Sequence, residues 1–519
     1  MVILIILHLD NINKPCWNPK FPEINTDTMY LIGFDLGSSS VKASLLNTET
    51  GQTVASAFYP ETEMKIEAPQ PGFAEQHPDV WWTNACKASQ TVMRLSGVAK
   101  EDVKAIGISY QMHGLVVVDK NGKVLRPSII WCDSRAVEIG NKAFQELGES
   151  RILPRLLNSP GNFTASKLAW VKANEPKIFE AIDKFMLPGD YLAARMTGEI
   201  VTTASGLSEG VLWDFQSGAP ADVLMEYYGF SSQLLPKLVP TFGEQGFLTA
   251  GSAAELGLAP GTAVTYRAGD QPNNAFSLNV LEPGEVAATG GTSGVVYGVS
   301  DQRQYDPLSR VNTFLHVTQS ELGPRYGVLL CINGTGSLNS WLRNQLIRGR
   351  MNYAEMNEIA AEAAIGSEGL VCLPFGNGAE RVLQNANPGG SFHGIEFNRH
   401  ELAHFLRSAQ EGIVFALFYG MEIMESLGVK PKLIRAGEAN MFLSPIFRET
   451  FANISGATVE LYNTDGAQGA ARGAGMGLGY FKNREETFHG LQAVKTIDPE
   501  PKQAEATRNA YLHWKSYIE

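Results

Sequence analysis

Two short segments rich in glycine and hydroxyl residues could bind a polyphosphate. The first is Gly37–Ser40 and the second is Gly290–Gly294. Turns of this composition leave backbone N–H groups unpaired, and several such groups pointing inward form an anion-binding nest. Either turn alone could equally be an ordinary hairpin. The chain has no Walker A pattern, which disfavours a P-loop nucleotide-binding protein. The candidate phosphate-binding residues are Gly37, Ser38, Ser39, Gly291, Thr292 and Ser293.

Two aspartates follow apolar runs that read as buried strands. Asp35 stands directly before the first turn, where a carboxylate could hold Mg²⁺ through water beside bound phosphates. It could instead cap its own turn, as aspartate often does. Asp270 follows the run Ala263–Ala268 and Gly269, and it is the candidate general base for a substrate hydroxyl. A Gly-Asp pair taken alone is more often a simple turn.

A third group of residues could contact a small polyol. His113 lies in the segment Gln111–Gly114 between two predicted strands, and Trp131 precedes the charged pair Asp133 and Arg135. A flat ring with charged neighbours suits sugar binding, although most such histidines are structural and the charged pair could be a buried ion pair.

The elements that must position these residues follow the same order twice. Strands predicted at Tyr30–Asp35 and Val41–Leu46 flank the first turn, and strands at Glu285–Thr289 and Val295–Val299 flank the second. Alternating strands and helices follow each pair. The pattern predicts two α/β domains, 29–279 and 280–519.

The composition disfavours several classes of binding partner. The 519 residues carry a net charge of −12, which disfavours nucleic acid and acidic membranes as partners. Five widely spaced cysteines support neither a disulfide framework nor a zinc site, so a cytoplasmic location is expected. The apolar run Val2–Leu9 is too short to span a bilayer. We predict that 1–28 is a disordered or mis-called extension before a start at Met29, with a signal peptide as the alternative.

Taken in order, these motifs resemble the FGGY carbohydrate kinases over nearly the whole length from Met29. Asp35–Lys42 and Gly290–Gly294 resemble the two phosphate motifs of the family, and Phe163–Trp170 resembles a family signature. Gln111–Gly114 is similar to the sugar-binding segment of the xylulokinases within that family. Ala436–Asn440 stands where the adenosine motif usually reads Gly-Gly-Gly-Ala, and Ala436 and Glu438 would narrow that space.

The resemblance implies an α/β fold of two actin-like (ribonuclease H-like) domains with an inter-domain catalytic cleft. It implies ATP and Mg²⁺ as cofactors and transfer of the γ-phosphate to a terminal hydroxyl of a small ketose, with D-xylulose the best candidate. By position, Asp270 would be the base, Asp35 would organise Mg²⁺, and Met112, His113, Gln271 and Trp131 would join Asp270 in contacting the sugar. The implied nucleotide-binding residues are Gly37, Ser38, Ser39, Gly291, Thr292, Ser293, Gly437, Glu438 and Asn440.

Three questions stay open at this stage. The substrate could be another polyol or sugar, such as ribulose or a sugar acid. The chain could also be a catalytically silent sugar- or nucleotide-binding protein, which the altered Ala436–Asn440 segment favours. Xylulokinases are often dimers, so a homodimer is a candidate assembly, but no residue in the sequence marks its interface.

Overall fold

The computed structural model describes residues 28–319, 323–384, 386 and 388–519. The expectation for residues 1–28 therefore lies outside the described residues, except for Thr28, which is buried. No helix within the described ranges is long and apolar enough to cross a membrane.

The strands and helices alternate along the described chain. The strands are β1 (Tyr30–Leu36), β2 (Val41–Asn47), β3 (Thr53–Tyr59), β4 (Glu75–Gln76), β5 (Val103–Tyr110), β6 (Val116–Val118), β7 (Ser128–Ile129), β8 (Lys184–Met186), β9 (Val201–Thr203), β10 (Trp213–Asp214), β11 (Ala219–Pro220), β12 (Lys237–Val239), β13 (Ala263–Gly269), β14 (Glu285–Gly290), β15 (Gly294–Ser300), β16 (Asn312–Leu315), β17 (Tyr326–Ile332), β18 (Val371–Phe375), β19 (Gly389–His393), β20 (Leu433–Gly437), β21 (Thr458–Tyr462) and β22 (Ala493–Ile497). The α-helices are α1 (Pro78–Ser96), α2 (Val137–Leu147), α3 (Glu149–Leu156), α4 (Thr164–Asn174), α5 (Pro176–Glu180), α6 (Pro188–Thr197), α7 (Ala204–Glu209), α8 (Asp222–Tyr228), α9 (Ala250–Leu256), α10 (Asp270–Ser277), α11 (Gly336–Trp341), α12 (Tyr353–Ala360), α13 (Leu402–Ser426), α14 (Pro445–Ser455), α15 (Gly466–Gly477), α16 (Arg484–Thr487) and α17 (Pro501–Lys515).

Two large sheets share one topology. The first has the order β13-β5-β1-β2-β3, in which β1, β2 and β3 form an antiparallel meander while β5 and β13 run parallel to β1. The second has the order β16-β17-β15-β14-β20-β21-β22, and its central five strands repeat that arrangement. The repeat confirms the prediction of two α/β units with a Gly/Ser turn between the first two strands of each.

The central strands are apolar because helices cover the sheets. In β1 every residue except Asp35 is buried, and β13 and β15 are buried throughout. Such continuous apolar runs are typical of strands that are covered on both faces. The single polar position in β1 is therefore notable, since it places a carboxylate at the end of a buried strand.

Helix α15 belongs to the second half of the chain but packs on the first sheet. A β-carbon added at Gly33 in β1 would lie 1.9 Å from the carbonyl oxygen of Ala467, and one added at Gly107 in β5 would lie 1.9 Å from that of Ala470. The helix backbone thus rests directly on two glycines of the sheet, an approach that a side chain would prevent. The packing ties the second half of the chain to the first.

Helix α10 begins at Asp270, at the end of β13, so this aspartate opens a helix and does not lie in a simple turn. Helix α15 follows β21 in the same way, and the two helices pack against each other. At their contact, a β-carbon on Gly469 would lie 2.5 Å from that of Ser277. The helices that follow the last parallel strands of the two sheets therefore pack against each other.

Candidate active site

One cavity brings together the phosphate-binding residues predicted in the first turn and the predicted base. Its volume is about 520 Å³. It contains the predicted magnesium residue, first-turn residues, Trp131 and the predicted base. The lining residues are Asp35, Gly37, Ser38, Ser39, Ser40, Lys42, Phe58, Gln111, Trp131 and Asp270.

The first turn presents unpaired donors to this cavity. The N–H of Gly37 donates to the carbonyl oxygen of Ser40 at 3.0 Å, which closes the turn. The carbonyl oxygens of Ser38 and Ser39 accept from Gln76 Nε2 and the N–H of Met64. Among the described residues, no hydrogen bond uses the N–H of Ser38 or Ser39 as donor. These two groups remain available to an anion, as the nest hypothesis requires.

Burial raises the proton affinity of the carboxyls of both Asp35 and Asp270. Burial raises the pKa of Asp270 to about 7, and the nearby charge of Asp35 adds to the effect. Burial also raises the pKa of Asp35, while the hydroxyl of Ser109, donating at 2.7 Å, and the Lys42 ammonium act against it. A carboxyl with a pKa near neutrality is suited to take up a proton during a reaction.

The carboxylate of Asp35 could contribute to a magnesium site. Within the described ranges, no group of three or more His, Cys, Asp or Glu side chains could hold a metal. Mg²⁺, however, usually keeps several waters and binds through one or two carboxylates together with substrate phosphates. The oxygen donors of Asp35 beside the first turn fit that second mode.

The predicted nucleotide residues of the second half form a group of their own. Strands β14 and β20 pair in parallel, so the second turn and Gly437 lie at the same edge of the sheet. A β-carbon on Gly291 would lie 3.9 Å from Asn440 Nδ2, which brings the turn and the Gly437–Asn440 segment together. Thr292 and Glu438 are exposed. Ala436 is fully buried in the core. Its methyl group is therefore not exposed where it could narrow the space for the nucleotide.

Helix α11 supports the second turn. The N–H of Gly336 donates to the carbonyl oxygen of Gly291 at 2.9 Å, and the N–H of Ser337 donates to that of Thr292 at 3.2 Å. The Ser293 hydroxyl donates to Asn333 Oδ1 at 3.4 Å. The turn is thus fixed through its carbonyl oxygens, and within the described chain no hydrogen bond uses the N–H of Thr292 or Ser293 as donor.

The segment that precedes α15 connects the two groups. Asp465 forms an ion pair with Lys42, and it also caps α15 by accepting from the N–H of Gln468. A β-carbon on Gly466 would lie 2.4 Å from Asp35 Oδ2, and one on Gly437 would lie 3.8 Å from the carbonyl oxygen of Thr464. The residues 464–466 therefore touch both the first-turn cavity and the edge of the second sheet.

The predicted sugar contacts differ in exposure. Met112 is only 4% exposed, and its side chain packs against Gly269, where a β-carbon would lie 2.6 Å from Met112 Cγ. Trp131 is 41% exposed, and its Nε1 lies 3.5 Å from the Ser38 hydroxyl. Gln271 follows the base, and its Oε1 is buried without a hydrogen-bond partner among the residues that the structure describes. Met112 thus supports the site from beneath, whereas Trp131 faces the cavity.

Two buried residues beside His113, one acidic and one basic, could not be predicted from the sequence. Glu209, at the end of α7, and Lys167, on α4, contact the backbone of His113. Lys167 lies inside the segment that carries the family resemblance, but no sequence signal gives it a role. Glu209 has no motif around it. Only the fold shows that these two side chains are buried beside a candidate sugar residue.

A larger cavity of about 820 Å³ is lined in part by Glu75, Arg126, Arg135 and Glu175. Its charged groups are already paired. Arg126 contacts Glu75 and Glu175 at 2.5 and 2.7 Å, and Arg135 contacts Glu75 and Asp133 at 2.7 Å each. The network answers the question about Asp133 and Arg135 in favour of a buried ion pair.

Two buried histidines predict how stability changes with pH. Burial lowers the pKa of both His113 and His316 to about 3. Each histidine therefore binds a proton below about pH 6.5 in the unfolded chain, but only below about pH 3 in the folded chain. As the pH is lowered through this window, the free energy of unfolding should fall by at most about 1.4 kcal/mol per pH unit for each histidine.

Urea unfolding at pH 7 and pH 5 tests this expectation. His316→Asn should lose less stability between the two values than the wild type does. His513→Asn, at an exposed position, should follow the wild type. Equal losses in all three proteins would contradict the assignment for His316.

Comparison with known proteins agrees with this geometry. The family model for the N-terminal domain of FGGY carbohydrate kinases matches residues 30–277, and the model for the C-terminal domain matches residues 286–478. A curated xylulose kinase from Escherichia coli (strain K12) is 33% identical over 450 residues, which cover 85% of this chain and 88% of that protein.

Solved structures extend the comparison. A xylulose kinase structure from Rhodospirillum rubrum is 26% identical with a TM-score of 0.83, covering 94% of this chain and 98% of that one. A gluconate kinase structure from Lactobacillus acidophilus, 23% identical, has a TM-score of 0.86, covers 95% and 98% of the two chains, and shows the shared fold. These matches confirm the two-domain kinase fold and sugar phosphorylation as the chemistry. The chain belongs to the FGGY family of carbohydrate kinases.

Proposed function

We propose that the protein transfers the γ-phosphate of ATP to a terminal hydroxyl of a small ketose, converting D-xylulose to D-xylulose 5-phosphate. The observation that carries the proposal is the cavity in which Asp270 lies with the unpaired donors of the first turn. A phosphate bound by Ser38 and Ser39 would lie in the same space as the base that activates the attacking hydroxyl.

The proposed mechanism begins with binding and orientation. The N–H groups of the first and second turns bind phosphate oxygens of the nucleotide, and Gly437, Glu438 and Asn440 lie beside its nucleoside. Trp131 offers its exposed ring to the apolar face of the sugar. Fixing the hydroxyl and the phosphorus in one geometry supplies much of the rate, because the reaction then becomes effectively unimolecular.

Proton transfer falls to Asp270. Its carboxylate accepts the proton of the attacking hydroxyl as the phosphoryl group moves, and burial prepares it for this by raising its pKa to about 7. Donors fixed before the reaction stabilise the charge on the transferring group. Asp35, together with water and phosphate, would hold Mg²⁺, which would neutralise phosphate charge when bound.

The choice of D-xylulose rests on the relatives, because several curated proteins similar to this chain are xylulose kinases. An assay that couples ADP release to a visible signal should compare D-xylulose, D-ribulose, D-gluconate and glycerol. We expect kcat/KM for D-xylulose to exceed the others at least about tenfold, a difference of about 1.4 kcal/mol in transition-state binding. A tenfold preference for another compound would replace the substrate, and no ADP release with any sugar would leave a silent binding protein.

We also propose a cytoplasmic location for this reaction. The support is the five widely spaced cysteines, which suit a reducing compartment.

A further inference from the structure

His113 has an unusual backbone conformation for a residue with a β-carbon. Its φ is +61°, in the left-handed region that residues with a β-carbon adopt at a cost in free energy. Such a conformation persists only where surrounding contacts fix it, and it is frequent at functional sites. The contacts that fix His113 are therefore candidates for a functional role.

One acidic and one basic side chain, both buried, bind the backbone of His113. Its N–H donates to Glu209 Oε2 at 3.1 Å, and its carbonyl oxygen accepts from Lys167 Nζ at 2.9 Å. Glu209 is 2% exposed and Lys167 is fully buried. The same ammonium donates at 2.9 Å to the carbonyl oxygen of Ile130, the residue before Trp131. Lys167 thus joins the two segments that carry His113 and Trp131.

A further contact determines which nitrogen of the His113 ring carries the proton. Nδ1 lies 2.8 Å from the backbone carbonyl oxygen of Glu209. Because a carbonyl oxygen only accepts, Nδ1 must hold the hydrogen, and Nε2 of the neutral ring is then an acceptor. The ring also packs edge-on against Phe163, with centroids 4.8 Å apart.

The charged groups that face this ring favour its neutral form. Lys167 on α4 and Arg381 from the second half of the chain both disfavour a second positive charge, while Glu209 on α7 supplies the hydrogen-bond acceptors. Arg381 lies over the ring of Phe163, 4.8 Å from its centroid.

We propose that Lys167 and Glu209 are positioning residues for the sugar: their side chains hold the backbone of His113. The backbone carbonyl oxygen of Glu209 keeps the ring as the Nδ1–H tautomer, so that Nε2 selects a substrate hydroxyl that donates a hydrogen bond. A carboxylate or a ketone oxygen at that position would meet a lone pair and be rejected. The inference rests on the proposed function, because the sugar is the ligand that His113 contacts there.

Steady-state kinetics with D-xylulose tests the role of Lys167. Lys167→Met should raise the KM for sugar at least tenfold and leave the KM for ATP within twofold, because the two sugar segments lose their common donor. Lys172→Met is the matched control, since Lys172 on the same helix also donates to two carbonyl oxygens, those of Tyr228 and Gly229, at 2.7 Å. An unchanged sugar KM in folded Lys167→Met, or an equal rise in Lys172→Met, would overturn the proposal.

A pair of Glu209 variants decides the matter if Lys167→Met does not fold. Glu209→Ala removes the acceptor for the His113 N–H and should raise the sugar KM about tenfold. Glu209→Gln keeps an acceptor of the same shape and should restore the KM to within threefold of the wild type. A failure of Glu209→Gln to improve on Glu209→Ala would contradict the positioning role.

Nitrogen-15 NMR of the wild-type protein tests the tautomer without any kinetics. The His113 signal, identified by its loss in His113→Asn, should show a protonated Nδ1 and a bare Nε2 from pH 5 to pH 8. A proton on Nε2, or titration near pH 6.5, would refute the assignment. If the wild type phosphorylates no keto sugar, the proposed function fails, while this spectrum still decides whether the tautomer is held.

Discussion

Asp270→Asn should lower kcat for sugar phosphorylation roughly 10²–10⁴-fold, the usual contribution of a positioned general base. Asparagine matches aspartate in shape and can remain at the start of α10, but its amide does not accept the hydroxyl proton. Because the phosphate-binding turns do not depend on this side chain, the dissociation constant for ATP should stay within about threefold. Turnover by coupled ADP release and nucleotide binding by calorimetry measure the two quantities.

Asp222→Asn provides a matched control for this substitution. Asp222 is also the first residue of a helix, α8, and it is exposed outside the cavity. We expect its kcat to equal that of the wild type. Wild-type turnover in Asp270→Asn would remove Asp270 from the mechanism, and a loss of both turnover and ATP binding would assign it a role in binding the nucleotide.

The parts of the site that could be predicted from sequence are those with local signals. Asp35 and the first turn stand next to each other in the chain, and a buried strand that ends in a carboxylate and serines is visible in the residues themselves. Asp270 could be predicted for the same reason, because β13 ends just before it. The doubled strand order also followed from hydrophobic patterning, which depends on neighbouring residues.

The parts that could not be predicted depend on contacts between distant segments. Glu209 is 96 positions from His113 and Lys167 is 54 positions from it, so no spacing rule connects them. A buried charge also looks like a surface charge in a sequence, and only the fold shows which one has lost its water. The buried position of Ala436, which the sequence suggested would narrow the nucleotide space, is known only from its packing.

The contact between α15 and the first sheet gives the second large prediction. In Gly33→Ala the new methyl group would lie 1.9 Å from the Ala467 carbonyl oxygen and 2.4 Å from the Ala471 nitrogen. Both atoms belong to helix backbone, so the helix must move, and overpacking of this kind costs about 1–3 kcal/mol of stability. The start of α15 would move as well, and with it Gly466, which lies against Asp35, and the capping residue Asp465, which pairs with Lys42.

Gly33→Ala should therefore lose activity as well as stability, at temperatures where it is still folded. Chemical unfolding and the kcat for D-xylulose, measured on the same preparation, test the two effects together. Gly251→Ala in α9 is the control, because the nearest atom to its new methyl group would be 4.0 Å away and alanine favours a helix by up to about 1 kcal/mol. A stable Gly33→Ala with reduced turnover would mean that α15 acts mainly on the site. Wild-type stability and turnover in Gly33→Ala would show that the helix does not rest on this glycine, and that Asp35 keeps its place without the contact.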